Sequence, residues 1–198
     1  MRPLHRSIPA IMIAGLAALA TGCQPYQPVG TLLDPPLPLQ DFALPEVEGG
    51  TFHLSDQAGE LVLIFFGYTT CPDICPATLA QVARAVEQLG SDADQVRVVF
   101  VSVDPQRDTP EQIRAYLDAF NDSFVGLRTT DLVALDGVLQ RFGAFYEIDP
   151  SEGAAGYTVT HTSALFVVDR EGRLSEVIPF GATADQIAAD VRYLLKQR

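Results

Sequence analysis

Two cysteines lie four residues apart in the stretch GYTTCPDICP, Gly67–Pro76, which directly follows the apolar run Leu61–Phe66. The 198-residue chain contains only one further cysteine. A pair at this spacing could form a structural disulfide, act as a redox-active dithiol, or bind a soft metal ion through its thiolates. The rest of the sequence is needed to choose between these three kinds of site.

The prolines around the pair indicate where the following helix begins. Pro76 has no N–H and is tolerated only in the first turn of a helix, which makes Asp73 a plausible N-cap. Cys71 then lies in the preceding loop and Cys75 in the first turn. Because free N–H groups and the positive end of the helix dipole favour a thiolate over a thiol, we expect both sulfur atoms to serve as nucleophiles or metal ligands.

Of the three chemistries, the structural disulfide has the least support, because a bridge across so short a loop removes little conformational entropy from the unfolded chain. A position after a strand and before a helix is typical of thioredoxin-like oxidoreductases, but their spacing is C-x-x-C. They also place a proline before the strand that lies beside the dithiol. The predicted strand Thr162–Asp169 is preceded instead by Val159-Thr-His161. The redox and metal-binding interpretations both stay open at this point.

His161 is the residue that favours metal binding. It stands at the entry to a strand predicted to neighbour the cysteine loop. Two thiolates and one imidazole suit Cu(I) by their softness and Cu(II) by the imidazole, whereas a structural zinc site would need a fourth protein ligand. His53 falls in a predicted hairpin and His5 in the leader, so neither is expected to take part. The sequence thus predicts a copper site made of Cys71, Cys75 and His161.

The amino-acid composition indicates a folded protein and limits the partners that it can bind. Hydrophobic residues make up 47% of the chain, which is enough for a packed core. The formal charge is −12 and no cluster of lysine and arginine is present. Because such a surface repels a phosphate backbone, nucleic acid is excluded as an expected partner.

The N-terminus indicates export. A basic start, MRPLHR, precedes the apolar stretch IPAIMIAGLAALA, and small residues then lead to Cys23. We expect residues 1–22 to be a lipoprotein-type signal peptide, Cys23 to carry lipid, and residues 24–40 to form a proline-rich tether. An uncleaved anchor helix is the alternative. In both cases the domain, residues 41–198, is predicted on the outer, periplasmic side of the cytoplasmic membrane.

The hydrophobic pattern predicts an α/β domain. Continuous apolar runs indicate strands covered on both faces, and two such strands joined by a helix should lie parallel. We therefore expect a thioredoxin-like fold with an N-terminal β-hairpin and an inserted helix. The predicted elements are a hairpin over residues 42–54, strands at 61–66 and 96–103, helices at 77–89, 110–120 and 132–142, strands at 162–169 and 173–180, and a closing helix at 184–196.

From about Asp41 to its C-terminus the chain resembles the Sco/SenC family of copper-binding thioredoxin-fold proteins, which help to assemble the CuA centre of cytochrome c oxidase. Position by position, the copper ligands of that family fall on Cys71, Cys75 and His161. Many members have aspartate directly before the histidine, where this chain has Thr160. The motifs that carry the resemblance are GYTTCPDICP at 67–76, VSVDPQRDTP at 101–110, YTVTH at 157–161, and FVVD at 166–169 followed by Gly172.

The resemblance implies two functions. The first is a metallochaperone that delivers Cu(I) or Cu(II) to subunit II of cytochrome c oxidase, without turnover. The second is a thiol-disulfide oxidoreductase that reduces the disulfide of the CuA site or of another exported protein. Another exported copper chaperone or a thioredoxin-like reductase would then be a further partner. The segment Asp104–Pro110 is expected to be structural, with Thr109 capping a helix and Arg107 paired with Asp108.

The leader generates a first prediction. Cys23 of the membrane-associated chain should carry lipid, because it follows small residues after an apolar stretch too short to span a bilayer comfortably. Mass spectrometry of the N-terminal peptide measures this directly. An intact Met1 start with an unmodified Cys23 would contradict the lipoprotein interpretation and support the anchor helix.

Overall fold

The computed structural model describes residues 26–150 and 156–197, so the predicted signal peptide and Cys23 lie outside the described residues. The strands are β1 Thr31–Pro38, β2 Ala43–Pro45, β3 Thr51–His53, β4 Leu61–Gly67, β5 Val96–Ser102, β6 Val125–Leu127, β7 Tyr146–Pro150, β8 Tyr157–His161, β9 Leu165–Val168 and β10 Arg173–Ile178. The helices are α1 Ile74–Leu89, α2 Pro110–Asp118, α3 Leu132–Phe142 and α4 Ala184–Leu195. Among these residues no helix has the length and apolar character needed to cross a bilayer.

A six-stranded mixed sheet forms the centre of the domain, in the order β1-β10-β9-β4-β5-β6. The apolar run of β4 is buried along its whole length, as its sequence predicts for a strand covered on both faces. Strands β4 and β5 pair in parallel across the crossover helix α1, and β9 and β10 form an antiparallel hairpin. The thioredoxin-like fold class is therefore confirmed, with the N-terminal hairpin made by β2 and β3.

Helix capping follows the sequence closely. Thr109 and Gln112 form a reciprocal capping box at the start of α2, with Pro110 in the first turn. Thr183 and Gln186 form a second capping box at the start of α4. These local hydrogen bonds fix where both helices begin, as predicted.

Three features differ from the sequence-based expectation. Thr31–Pro38, predicted within the tether, is β1 and pairs with β10 at the edge of the sheet, where prolines are tolerated because one side of the strand needs no hydrogen bonds. The short strand β6 and the hairpin of β7 and β8 were not predicted. The strand expected at Thr162–Asp169 begins only at Leu165.

A buried acidic pair joins the N-terminal segment to the sheet and to α4. Asp190 accepts hydrogen bonds from the Tyr26 hydroxyl and from the backbone N–H groups of Val29 and Gly30. Glu176 of β10 is fully buried beside it, and a Cβ at Gly30 would collide with the Glu176 carboxyl group. Burial, together with the neighbouring Asp190, raises the pKa of Glu176 from 4.5 to about 8.

This pair generates a prediction about stability and pH. The folded chain keeps a proton on Glu176 that the unfolded chain releases above pH 4.5, so the pair should lower the free energy of unfolding as pH rises from there to about 8. The slope contributed by one group is at most about 1.4 kcal/mol per pH unit. Glu176→Gln should remove this part of the slope in urea unfolding, whereas Glu87→Gln, at an exposed position of α1, should not. Equal slopes for the wild type and Glu176→Gln would refute the assignment.

Candidate metal centre

Both cysteines lie at the carboxyl edge of the central parallel strands. Cys71 stands in the loop after β4, and Cys75 is the second residue of α1. Cys71 is 9% exposed and Cys75 is fully buried, and neither forms a disulfide. Asp73 occupies the N-cap position as predicted, although its side chain makes no capping hydrogen bond. The Cys71 sulfur is instead approached by the backbone N–H of Cys75, at 3.4 Å.

The histidine is supplied by a different part of the chain. His161 is the last residue of β8 and pairs with Tyr146 of β7 in a two-stranded sheet beside the main one. It therefore ends a strand of its own, whereas the sequence had suggested a position at the entry to the central strand Thr162–Asp169. Thr162, the next residue, closes the open end of the β7–β8 hairpin, because it exchanges two hydrogen bonds of 3.0 Å with Phe145.

The three predicted ligands meet in the folded chain. The Sγ atoms of Cys71 and Cys75 and a ring nitrogen of His161 all lie within 4.8 Å of one another. Nε2 of His161 is 3.4 Å from Sγ of Cys75. Metal–thiolate and metal–imidazole bonds of about 2.3 and about 2.0 Å can bridge such gaps, so the donor atoms fit one metal ion. No other group of His, Cys, Asp and Glu side chains within 26–150 and 156–197 is arranged in this way.

A backbone carbonyl orients the imidazole. Nδ1 of His161 is 3.0 Å from the carbonyl oxygen of Thr162, so Nδ1 carries the proton and Nε2 presents its lone pair to the cysteines. Thr160, which stands where many family members have aspartate, faces the other side of the strand and binds Asp149 at 2.9 Å. The ring orientation in this chain therefore does not depend on a side chain at position 160.

The two sulfur atoms shift each other's pKa in opposite directions. Hydrogen bonding to Cys75 lowers the pKa of Cys71, and backbone N–H groups act in the same direction. The same hydrogen bond, together with burial, raises the pKa of Cys75. These opposite directions favour the thiolate at Cys71 and the thiol at Cys75. Binding a metal ion through both sulfur atoms would release the remaining proton.

Aromatic rings close the inner side of the site. The rings of Phe65 and Tyr68 meet the His161 ring edge-on, at centroid distances of 6.1 and 5.7 Å. Burial, and then the negative charge of Cys71, raise the pKa of Tyr68 to about 12. Tyr68 is therefore a neutral, buried side chain in contact with the imidazole.

Asp108 anchors the cysteine loop, a role that the sequence did not predict. Its carboxylate is fully buried and accepts hydrogen bonds from the Ser102 hydroxyl and from both the N–H and the hydroxyl of Thr69, at 2.6 to 3.1 Å. Burial raises the pKa of Asp108, although these donors act in the opposite direction. Because Thr69 lies two residues before Cys71, these bonds hold the loop against the end of β5.

The predicted ion pair of Arg107 with Asp108 is wrong. Arg107 pairs with Asp104, whose side chain is fully buried, while Asp108 has the uncharged donors described above. The error arises because adjacent side chains in this turn point in different directions, which the sequence does not reveal. His53 behaves as expected, since it lies in β3 beside Asp41 and outside the site.

The fold and the site define a thioredoxin-like protein with a two-cysteine, one-histidine group that could hold a metal ion. The SCO1/SenC family model matches residues 33–196. The chain belongs to the SCO1/SenC family, as the sequence resemblance predicted.

Relatives of this chain share both sequence and fold. An SCO2-like protein of Rickettsia felis is 35% identical over 134 residues, which cover 67% of this chain and 65% of the relative's length. The solution structures of apo Sco1 from Thermus thermophilus are 41% identical, with a TM-score of 0.77 over 85% of this chain and 98% of that one. Copper-bound ScoI of Bradyrhizobium japonicum is 33% identical, with a TM-score of 0.72 over 80% and 99% of the two chains.

The anchoring role of Asp108 generates a third prediction. Asp108→Ala leaves buried donors of Ser102 and Thr69 without an acceptor, so it should lower the free energy of unfolding by about 1–3 kcal/mol. It should also change the rate at which Cys71 reacts with a thiol reagent, because the loop loses its attachment. Urea unfolding and reagent kinetics measure the two effects. The control is Asp73→Ala, which removes an exposed side chain without a capping bond and should be nearly neutral. Equal stability of the two variants would contradict the anchoring role.

Proposed function

We propose that this protein is a copper metallochaperone that delivers copper to the CuA site on subunit II of cytochrome c oxidase. One observation carries the proposal: Nε2 of His161 lies 3.4 Å from Sγ of Cys75, so an imidazole is held beside the dithiol. Disulfide exchange requires two thiols and no such imidazole, whereas a copper site requires the third donor.

The chemistry of the donor set supports copper as the cargo. Two thiolates are soft ligands that stabilise Cu(I), and the imidazole allows the same site to bind Cu(II) as well. The ScoI relative, at 33% identity, was solved with copper bound. Membership of the Sco family, which is associated with cytochrome c oxidase assembly, supports the oxidase as the destination.

The position of the site supports transfer to another protein. Both cysteines are buried, with Cys71 9% exposed, and His161 is the half-buried ligand on the outer side of the site. Donors of an incoming protein can reach a bound ion from this side and displace the outer ligands in turn. No catalytic turnover is needed, and the protein in this role is not an enzyme.

A thiol-disulfide oxidoreductase is the second candidate. The observation that favours it is the proximity of the two sulfur atoms, which lie within 4.8 Å of each other, together with the lowered pKa of Cys71. Attack of Cys71 on a disulfide of the CuA site, followed by attack of Cys75, would pass two electrons to that disulfide and leave Cys71 and Cys75 bridged. A thioredoxin-like reductase would then have to reduce the Cys71–Cys75 disulfide again. In the metallochaperone function, by contrast, the expected further partner is an exported copper chaperone that loads this protein with copper.

For localisation we propose an exported lipoprotein, anchored through Cys23 on the periplasmic side of the cytoplasmic membrane. The leader sequence supports this. Tyr26 is bound to Asp190 of the domain, and it follows Cys23 by three residues. At about 3.6 Å per residue, a lipid at Cys23 would be within roughly 11 Å of Tyr26, so the domain would sit close to the bilayer.

A fourth prediction separates the two functions. His161→Ala removes one of three copper donors, so it should weaken Cu(II) binding by at least about 100-fold, more than the loss of an orienting partner costs. The thiolate-to-copper absorption band should disappear. Exchange with a small disulfide should fall only modestly, because both thiols and the helix N-terminus stay in place. Copper titration and exchange kinetics on the purified full-length chain measure both properties.

Three control variants show whether the effect of His161→Ala is specific to copper binding. His53→Ala removes an exposed histidine outside the site and should change neither property. Cys71→Ser and Cys75→Ser should abolish both, since each removes a soft ligand and half of the dithiol. If cells carrying His161→Ala assemble CuA normally while the cysteine variants do not, the chaperone proposal is wrong and the reductase is right.

A further inference from the structure

The histidine strand is attached to the domain along one face. Residues 157, 159 and 161 of β8 alternate with outward-facing threonines, so the side chains of Tyr157, Val159 and His161 point toward the domain. Val159 is 6% exposed and packs in the core. Since β8 pairs only with β7 and neither strand joins the main sheet in the part of the chain described, these inward contacts must position His161.

Arg107 holds the far end of this strand. Its Nη1 donates a 3.0 Å hydrogen bond to the backbone carbonyl of Tyr157. Pro150, the residue opposite Tyr157 in the hairpin, has no N–H to offer that carbonyl. The guanidinium group also lies 3.8 Å from the centre of the Tyr157 ring, within range of a cation–π contact. Arg107 therefore binds both the backbone and the side chain of the first residue of β8.

Asp104 binds the side chains of both Arg107 and Tyr157. Its buried carboxylate accepts a hydrogen bond from Nε of Arg107 and a 2.6 Å hydrogen bond from the Tyr157 hydroxyl. The Arg107 side chain is 24% exposed and that of Asp104 is fully buried, so the pair is shielded from solvent. A guanidinium group satisfies these partners at once because its N–H donors diverge in a rigid plane.

The same cation reaches the cysteine side of the site. It lies 5.7 Å from the centre of the Tyr68 ring, and the centre of the same ring is 5.7 Å from that of His161. Tyr68 belongs to the cysteine loop, where its carbonyl accepts the N–H of Cys71 at 3.2 Å. Arg107 is thus in contact with both parts of the chain that supply metal ligands.

We propose that Arg107 is a positioning residue that holds β8 so that His161 faces the two cysteine sulfur atoms, and so sets the affinity of the site for Cu(II). This inference rests on the proposed copper function and names a determinant of it. Because Asp104 neutralises the cation, Arg107 acts through its geometry and not through its charge on the thiolates. Its loss weakens the histidine contribution and leaves the dithiol chemistry unchanged.

The test uses Arg107→Leu and Arg107→Lys in the full-length chain, with Cu(II) alone as the probe. Loss of an orienting partner typically costs 10–100-fold in metal affinity, so Arg107→Leu should weaken Cu(II) binding by about that factor and reduce the nitrogen coupling in the EPR spectrum. Lysine keeps the charge but cannot bind Asp104 and the Tyr157 carbonyl in one plane, so Arg107→Lys should show a similar loss. Exchange of the thiols with a small disulfide should stay at the wild-type rate.

A double-mutant cycle shows whether Arg107 acts through His161. In the His161→Ala background, Arg107→Leu should cause no further loss of Cu(II) affinity, because the ligand that it positions is already absent. The matched control is Arg97→Leu, which removes a surface arginine paired with Glu60 at the other end of β5 and should leave affinity unchanged. Should Arg107→Leu unfold the chain, Tyr157→Leu is measured in its place; it removes the ring contact with Arg107 and the hydroxyl bond to Asp104 but keeps the carbonyl bond, so it should cause a smaller loss that also disappears in the His161→Ala background.

Three results would overturn the inference. They are wild-type Cu(II) affinity in Arg107→Leu, full affinity in Arg107→Lys, and an equal loss in the presence and absence of His161. In each of these cases a large loss in His161→Ala alone would leave the copper function intact. Wild-type affinity in His161→Ala would instead reject the proposed function itself.

Discussion

The buried carboxylate of Asp108 is the contact on which the metal centre depends. It joins the end of β5 to the cysteine loop through Ser102 and Thr69, in an environment where donors without an acceptor would be costly. Arg128 holds the same turn from outside, through the backbone carbonyls of Pro105 and Asp108, at 2.7 and 2.5 Å. The turn between β5 and α2 is therefore a rigid support, and it presents Arg107 to the histidine strand in a fixed direction.

The ligands come from parts of the domain with different degrees of burial. Cys75 lies in the core at the start of α1, next to a strand that is buried along its whole length. His161 comes from a hairpin whose first strand is largely exposed and which stands outside the main sheet. Under the proposed function this asymmetry is useful, because a chaperone has to bind copper and also to release it. The buried cysteines would hold the ion, and the more exposed histidine would be the ligand that an incoming protein reaches first.

A second buried polar cluster, of Glu176 and Asp190, ties residues 26–30 to β10 and α4. The ring of Tyr26 stacks on Tyr193 at 4.7 Å, in addition to its hydrogen bond to Asp190. The segment before the N-terminal hairpin is thus part of the folded domain, with β1 extending the sheet. This attachment lies at the β1 and β10 edge of the sheet, whereas the cysteine loop follows β4 and is held against the end of β5.

The sequence alone determined what depends on neighbours along the chain. Apolar runs indicated the buried strands, Thr109 and Thr183 marked two helix starts, and the cysteine pair before a proline indicated a dithiol at a helix N-terminus. The position of His161, just before a strand expected to neighbour the cysteine loop, was enough to select it. Only the tertiary structure decided that Arg107 binds Asp104 and a strand fifty residues away, that Thr162 orients the imidazole, and that β1 belongs to the sheet. Hydrogen-bonding partners distant in sequence depend on topology and side-chain direction, and neither leaves a local pattern in the chain.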